Sequence, residues 1–239
     1  MKGYALVTGA SRGIGKAIAY TLAKEGYHLY LTGYHSYENL QILKNELEEK
    51  YQISCSIFKA DISCYDDVAQ IFGQIKELDL LINNAGISYI GLLSEMSISD
   101  WHKVIDTNLS SVFYTSKLAI PFMLRKRCGK IINISSVWGN VGASTEVAYS
   151  SSKGGLNSFT KALAKELAPN NIQVNAIACG VIDTQMNQDF SLSEMRALID
   201  EIPADRLGKV DEVADLVLQL IQSPAYLTGQ IIGLDGGWT

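Results

Sequence analysis

Tyr149 and Lys153 are four residues apart in YSSSKGGLNSFTKALAKEL, a stretch with helical apolar periodicity. An i,i+4 pair shares one helix face, so the ammonium can lie beside the phenol. A neighbouring positive charge favours phenolate and lowers a tyrosine pKa toward the range a general acid or base needs. The pair alone is common, and an exposed helix face explains it equally well. Ser135-Ser136 closes an apolar segment just upstream. A serine hydroxyl there can hydrogen-bond a carbonyl and steady developing oxyanion charge. Ser136 is not a nucleophile candidate, because no histidine stands in a GxSxG-like context.

A second candidate lies at the amino end. Thr8-Gly9-Ala10-Ser11-Arg12-Gly13-Ile14-Gly15 follows the first apolar segment and opens a helical one. Bare backbone N–H groups at a helix start favour a pyrophosphate, and glycines let the ligand approach closely. The spacing is GxxxGxG rather than GxGxxG, and a tight strand-to-helix turn is the alternative reading. The NAD-type pattern asks for an acid about 20 residues on, to hold a ribose 2′-hydroxyl. The second apolar segment instead ends Thr32-Gly33-Tyr34-His35-Ser36, without an acid. Arg12 sits in the turn, and a guanidinium suits a 2′-phosphate. NADPH is therefore expected over NADH. A solvated loop cation is the plainer account of Arg12.

These groups need a scaffold that brings them to one edge. Strand-length apolar runs occur at 4–8, 29–32, 54–58, 78–82, 130–134, 173–177 and 230–233. Several are continuous rather than alternating, as in a parallel sheet covered on both faces. Helical stripes lie between them: Ile14, Ile18, Leu22 and Ala23; Leu40, Leu43 and Leu47; Trp101, Val104, Ile105, Leu109, Val112 and Phe113; Leu156, Phe159, Leu163 and Leu167, ended by Pro169. This alternation predicts an α/β fold, a single-domain doubly wound Rossmann sandwich over residues 1–239. About seven parallel strands would carry helices on both faces. Ligands of such sheets bind outside the carboxyl ends of the strands. The glycine turn, Ser136 and the start of the Tyr149 helix should then open on the same edge.

Composition removes other classes. Of 239 residues 47% are hydrophobic and 19% charged, which excludes a disordered chain. A net charge of −5 argues against a nucleic-acid partner. The uncharged run 167–182 contains Pro169, Asn170, Asn171 and Gln173, so no membrane span is expected. The N-terminus lacks an apolar signal-peptide core. The four cysteines at 55, 64, 128 and 179 have no CxxC spacing and fit a reducing, cytoplasmic location. His28, His35 and His102 are not grouped as metal ligands, so no metal is expected. Asp66-Asp67 and Glu48-Glu49-Lys50 read as helix-end charges.

TGASRGIG, Asn83-Asn84-Ala85-Gly86, Asn108, Ser136, Tyr149-xxx-Lys153, Leu227-Thr228-Gly229-Gln230 and Asp235-Gly236-Gly237 together resemble the classical short-chain dehydrogenase/reductases over nearly the whole chain. Within that family the sequence is most similar to 3-oxoacyl-(acyl-carrier-protein) reductases of fatty acid biosynthesis. The resemblance implies catalytic roles for Asn108, Ser136, Tyr149 and Lys153. Tyr149 would give its proton to a substrate carbonyl as hydride arrives from a nicotinamide. Lys153 would lower the tyrosine pKa and hold the nicotinamide ribose. Ser136 would polarise the carbonyl, and Asn108 would position a relay water. Gly9, Ser11, Arg12, Gly13, Ile14, Gly15 and Tyr34 would contact the phosphates and ribose, and Asp61 and Ile62 the adenine. Asn83, Ala85 and Gly86 would line the adenosine side. Gly180 and Ile182 would also contact the cofactor, and Thr184 would touch its carboxamide or phosphate. A homotetramer or homodimer is implied, built on helices around 99–126 and 148–168 and the last strand.

Two departures stand out. Cys179-Gly180 replaces the family's Pro-Gly, restoring a backbone N–H. The substitution is either neutral or loosens the loop over the nicotinamide. A reactive thiol there would need a lowered pKa. The second departure concerns substrate. Arg125-Lys126-Arg127 offers a basic cluster for an acidic carrier protein, whereas Asn170-Asn171 stands where another cation is expected. Glu146 occupies a position where those reductases often have glutamine. The stretch from Trp138 to Tyr149 resembles instead a subgroup that reduces the 5-aminopentanone modification on elongation factor P. Glu146 would then pair with a substrate amine, unless it is only a solvent-facing loop acid. The rival class is a cofactor-binding regulator or scaffold that kept the fold and lost the chemistry.

Overall fold

The computed structural model describes residues 2–185 and 191–239. Seven strands form one wholly parallel sheet: β1 (Tyr4–Val7), β2 (His28–Gly33), β3 (Cys55–Lys59), β4 (Leu80–Asn83), β5 (Gly129–Ser136), β6 (Ile172–Cys179) and β7 (Ile231–Leu234). Their spatial order is β3-β2-β1-β4-β5-β6-β7. The chain winds outward from β1 to β3, crosses back, and continues from β4 to β7. This is the doubly wound arrangement, and its switch point lies between β1 and β4.

The continuous apolar runs have the expected cause. In β1, Ala5 and Val7 point to one face and Leu6 to the other, and all three are buried. One face is covered by α1 (Gly13–Lys24), α2 (Tyr37–Tyr51) and α9 (Val210–Gln222), through Ile18, Leu22, Leu40, Leu43, Leu47, Val213 and Val217. The other is covered by α3 (Tyr65–Gln74), α5 (Ser111–Lys126) and α7 (Val147–Leu167), through Val68, Ile71, Ala119, Met123, Leu163 and Leu167. Among the described residues, no helix is long and apolar enough to cross a membrane.

Four local features go beyond the sequence reading. Strands β5 and β6 run on to Ser136 and Cys179, because they pair with each other over eight residues. The stripe through Trp101 and Phe113 is not one regular helix. Helix α4 (Ile98–Ile105) passes through a π-helical turn at Asp106–Ser110 before α5 begins. Such turns re-aim a side chain and cluster at functional sites. A four-residue helix, α6 (Trp138–Val141), follows β5 directly. Helix α8 (Leu192–Glu201) starts at a capping box between Ser191 and Glu194.

Candidate active site

The carboxyl ends of β1, β2, β4, β5 and β6 frame a cleft of about 550 Å³. That size suits a bound small molecule or cofactor. Gly9, Ser11, Arg12, Gly13 and Ile14 form its floor at the β1–α1 turn, and Tyr34, Asp61 and Ile62 close one end. Ala85, Gly86, Ser136, Glu146, Tyr149, Lys153, Gly180, Ile182 and Thr184 line the rest.

Three expected residues stand outside the lining. Gly15 lies within the turn, where a Cβ would come 2.3 Å from the Gly9 carbonyl oxygen. Asn108 is buried behind Gly86. The Asn83 side chain turns into the sheet interior, where its Nδ2 donates to Asn133 Oδ1 (2.9 Å) and its Oδ1 accepts from Thr115 Oγ1 (2.8 Å). Its neighbour Asn84 reaches the cleft instead, donating from Nδ2 to the carbonyls of Thr8 (2.9 Å) and Gly9 (3.1 Å). Thr8 Oγ1 in turn accepts the backbone N–H groups of Asn84 and Ala85, both at 3.0 Å. These bonds tie the β1 turn to the end of β4 across the switch point.

The turn fits a dinucleotide on its own terms. Gly9 (φ +65°) and Gly13 (φ +53°) occupy the left-handed region that favours glycine. A Cβ on Gly9 would meet Ala85 Cα at 2.9 Å. Arg12 extends along the turn and donates to Gln185 Oε1 (3.0 Å). No carboxylate follows Gly33 among the residues that line this end up to Ser36.

At the opposite end α7 begins at Val147, so Tyr149 sits in its first turn and Lys153 one turn on. Lys153 Nζ lies 5.6 Å from the Tyr149 ring centre and donates to the Ile134 carbonyl (2.9 Å). Burial pulls the ammonium down to about 8, opposed by the Cys179 thiol. Burial also pushes the Tyr149 phenol well above its ordinary value, while a hydrogen bond with Ser136 pulls the other way. The lowering of the phenol expected from Lys153 is not found: burial dominates, with Cys179 and Glu146 pushing the same way. The result is a phenol that holds its proton, as a proton donor must. Asn108 presents its amide from the π turn. Its Nδ2 donates to the Ile87 carbonyl (2.9 Å) and Ser152 Oγ (3.0 Å), and its Oδ1 accepts from the Ile87 N–H (2.8 Å). It sits next to Lys153: a Cβ on Gly86 would lie 3.2 Å from Asn108 Oδ1 and 3.5 Å from Lys153 Nζ.

Glu146 is half-buried rather than solvent-facing. Burial raises its carboxyl, and a hydrogen bond from Trp138 lowers it. Trp138 and Trp238 lie with ring centres 4.7 Å apart and also line the cleft. Neither tryptophan was expected here. Proximity to Asp235-Gly236-Gly237 was the available signal for Trp238. The preceding Thr145 adopts φ +63°, an uncommon conformation for a β-branched residue, and its carbonyl accepts the Gly91 N–H (2.8 Å).

Cys179 is buried at the end of β6, beside Ser136 in register. Burial pushes its thiol up to about 12 despite nearby Lys153, which makes it a poor nucleophile. The Arg125-Lys126-Arg127 cluster ends α5 and precedes β5, which places it at the amino edge of the strands, opposite the cleft. Lys126 is held there by Glu77 (2.9 Å) and Asp79 (2.8 Å). Within one chain the cluster does not flank the cleft mouth.

The fold agrees with comparison to known proteins. The profile of the family described as short chain dehydrogenase matches residues 3–195. An uncharacterized oxidoreductase, YmfI, of Bacillus subtilis (strain 168) is 39% identical over 98% of this chain and 98% of its own length. The 3-oxoacyl-(acyl-carrier-protein) reductase FabG of Aquifex aeolicus is 40% identical over 97% of this chain and 95% of its own. A crystal structure from Agrobacterium tumefaciens, provisionally assigned as a gluconate dehydrogenase, superposes with a TM-score of 0.92. It is 33% identical and covers 99% of this chain and 96% of its own. The chain belongs to the short-chain dehydrogenase family and is an oxidoreductase. Nicotinamide dinucleotides are the cofactors of that family, and the glycine turn fits one.

Proposed function

We propose that this oxidoreductase reduces a ketone to a secondary alcohol with NADPH, in the manner of 3-oxoacyl-(acyl-carrier-protein) reductases. One observation carries the reading: Ser136, Tyr149 and Lys153 converge on the cleft at the strand edge where it opens, with Lys153 Nζ 5.6 Å from the Tyr149 ring centre. The dinucleotide, when bound, supplies the hydride. The chain's own groups do the rest. Ser136 donates a hydrogen bond to the carbonyl oxygen and orients it toward Tyr149. Tyr149 transfers its phenolic proton to that oxygen as charge builds on it. Lys153, adjacent and cationic below about pH 8, steadies the phenolate that remains. Asn108, held by Ile87 and Ser152, stands beside Lys153 and would hold the water that returns the proton.

Arg12 and the acid-free end of β2 support NADPH over NADH, because a 2′-phosphate gains a guanidinium partner and meets no carboxylate. Gly9, Ser11, Arg12, Gly13, Ile14, Tyr34, Asp61, Ile62, Asn84, Ala85, Gly86, Gly180, Ile182 and Thr184 are the proposed cofactor contacts. A homo-oligomer follows from the same reading: Phe113 and Leu124 are exposed on α5, and β7 ends the sheet.

A second substrate reading rests on Glu146. Its half-buried carboxylate, braced by Trp138 beside Trp238, suits a ketone bearing an ammonium group, such as the aminopentanone modification of elongation factor P. Side-by-side turnover of an acetoacetyl thioester and an aminopentanone-modified protein, by wild type and Glu146→Gln, separates the two. The cationic reading predicts that Glu146→Gln loses activity on the amine-bearing ketone alone. Unchanged activity there ends it.

A further inference from the structure

Behind the cleft, three consecutive residues of β5 each meet a polar partner on α7. Asn133 Nδ2 donates to Thr160 Oγ1 (2.8 Å), and the Ile134 carbonyl accepts from Lys153 Nζ (2.9 Å). Ser135 Oγ donates to Asn157 Oδ1 (2.6 Å). Asn157 differs from the others in having a second partner on a third element. Its Nδ2 donates to Asn140 Oδ1 on α6 (2.9 Å).

Helix α6 carries Trp138, whose backbone N–H donates to Ser136 Oγ (3.2 Å) and which lines the cleft together with Glu146. The joint is tight. A Cβ on Gly139 would come 2.8 Å from Asn157 Nδ2 and 2.7 Å from the Lys153 carbonyl carbon. Asn157 is 5% exposed and does not line the cleft, so any influence on the reaction passes through other residues.

We propose that Asn157 is a positioning residue with two separable duties. Through Ser135 it fixes the adjoining Ser136 hydroxyl against the Tyr149 phenol. Through Asn140 it fixes α6, and with it the Trp138 wall that lines the cleft together with Glu146. A buried amide with both ends engaged has one orientation, and removing either partner leaves a polar group unsatisfied in a low-dielectric interior. Small displacements at a reacting centre have large consequences, since a misplacement of about 1 Å can lower a rate about 10²-fold.

The inference rests on the ketone-reductase reading of the same cleft, and its two halves predict different signatures. Ser135→Ala should lower kcat about tenfold to a hundredfold and leave the ketone KM near wild type. Asn140→Ala should do the reverse, raising KM several-fold with kcat little changed. It should also alter the near-ultraviolet circular dichroism of the Trp138–Trp238 pair. Asn157→Leu should show both changes. The two partner variants carry the test if Asn157→Leu does not fold. A lowered melting temperature with kcat, KM and the tryptophan signal unchanged in all folded variants would reduce Asn157 to a structural residue and overturn the proposal. If wild type turned over no ketone, the reductase reading would fall by itself. The tryptophan signal would then decide the positioning role, and an unchanged signal in Asn140→Ala and Asn157→Leu would overturn it.

Discussion

The two ends of the cleft are built from different materials. At the β1–α1 end the surface is mainly backbone, with two glycines at positive φ and a third too close to its neighbour for any side chain. At the β5–α7 end it is made of side chains, each held in place by a hydrogen bond: Ser136 by the Trp138 N–H, Lys153 by the Ile134 carbonyl, Asn108 by the Ile87 N–H and the Ser152 hydroxyl. A backbone site binds by shape and tolerates little change of volume. A side-chain site sets protonation, and here burial does so by holding the Tyr149 proton on and drawing Lys153 down to about 8. Binding and proton transfer should therefore be separable by mutation.

The largest separation is expected from Lys153→Met. Turnover should fall about 10²- to 10⁴-fold with dinucleotide affinity reduced far less. Its stability should move the other way. Burial disfavours the ammonium in the folded chain, so the variant should melt higher than wild type near neutral pH. That advantage should shrink as pH rises from about 8 toward the ordinary lysine value of 10.5, where the wild-type lysine sheds its charge on folding. Thermal melts of both proteins across that range test the sign. Ser136→Ala comes next, with an expected loss of about 10²- to 10³-fold in kcat and unchanged cofactor binding.

The backbone end should answer in the opposite sense. Gly9→Val places a branched side chain at φ +65° against Ala85. It should abolish detectable dinucleotide binding and destabilise the fold by about 1–3 kcal/mol, read by fluorescence titration and melting. Arg12→Ala is the mildest change. NADPH affinity should weaken about tenfold while NADH affinity holds, which corresponds to about 1.4 kcal/mol. Equal weakening of both would remove the 2′-phosphate assignment.

The same contrast governs what the sequence made legible. Glycines that must be glycine, and continuous apolar strands covered on both faces, leave marks on composition and spacing. The sheet and the phosphate turn followed from them, with strand ends shifted by a few residues. The tips of the side-chain site were legible too, because Ser136, Tyr149 and Lys153 stand at a strand end and on one helix face. Their supports were not. Asn157 and Asn140 are ordinary residues in a helix pattern until β5 and α7 are packed. The π turn at Asp106–Ser110 leaves the apolar stripe of α4 and α5 almost intact. Asn83 was expected to line the adenosine side, yet the pair Asn83-Asn84 alternates across the sheet edge and only Asn84 faces the cleft. Trp238 joins Trp138 through tertiary folding alone.

The most direct measurement compares wild type with Tyr149→Phe, following NADPH oxidation with a small β-ketoester and titrating dinucleotide binding on the same samples. Proton donation by Tyr149 predicts that the variant binds NADPH like wild type and loses ketone reduction. Undiminished reduction by Tyr149→Phe would contradict the account.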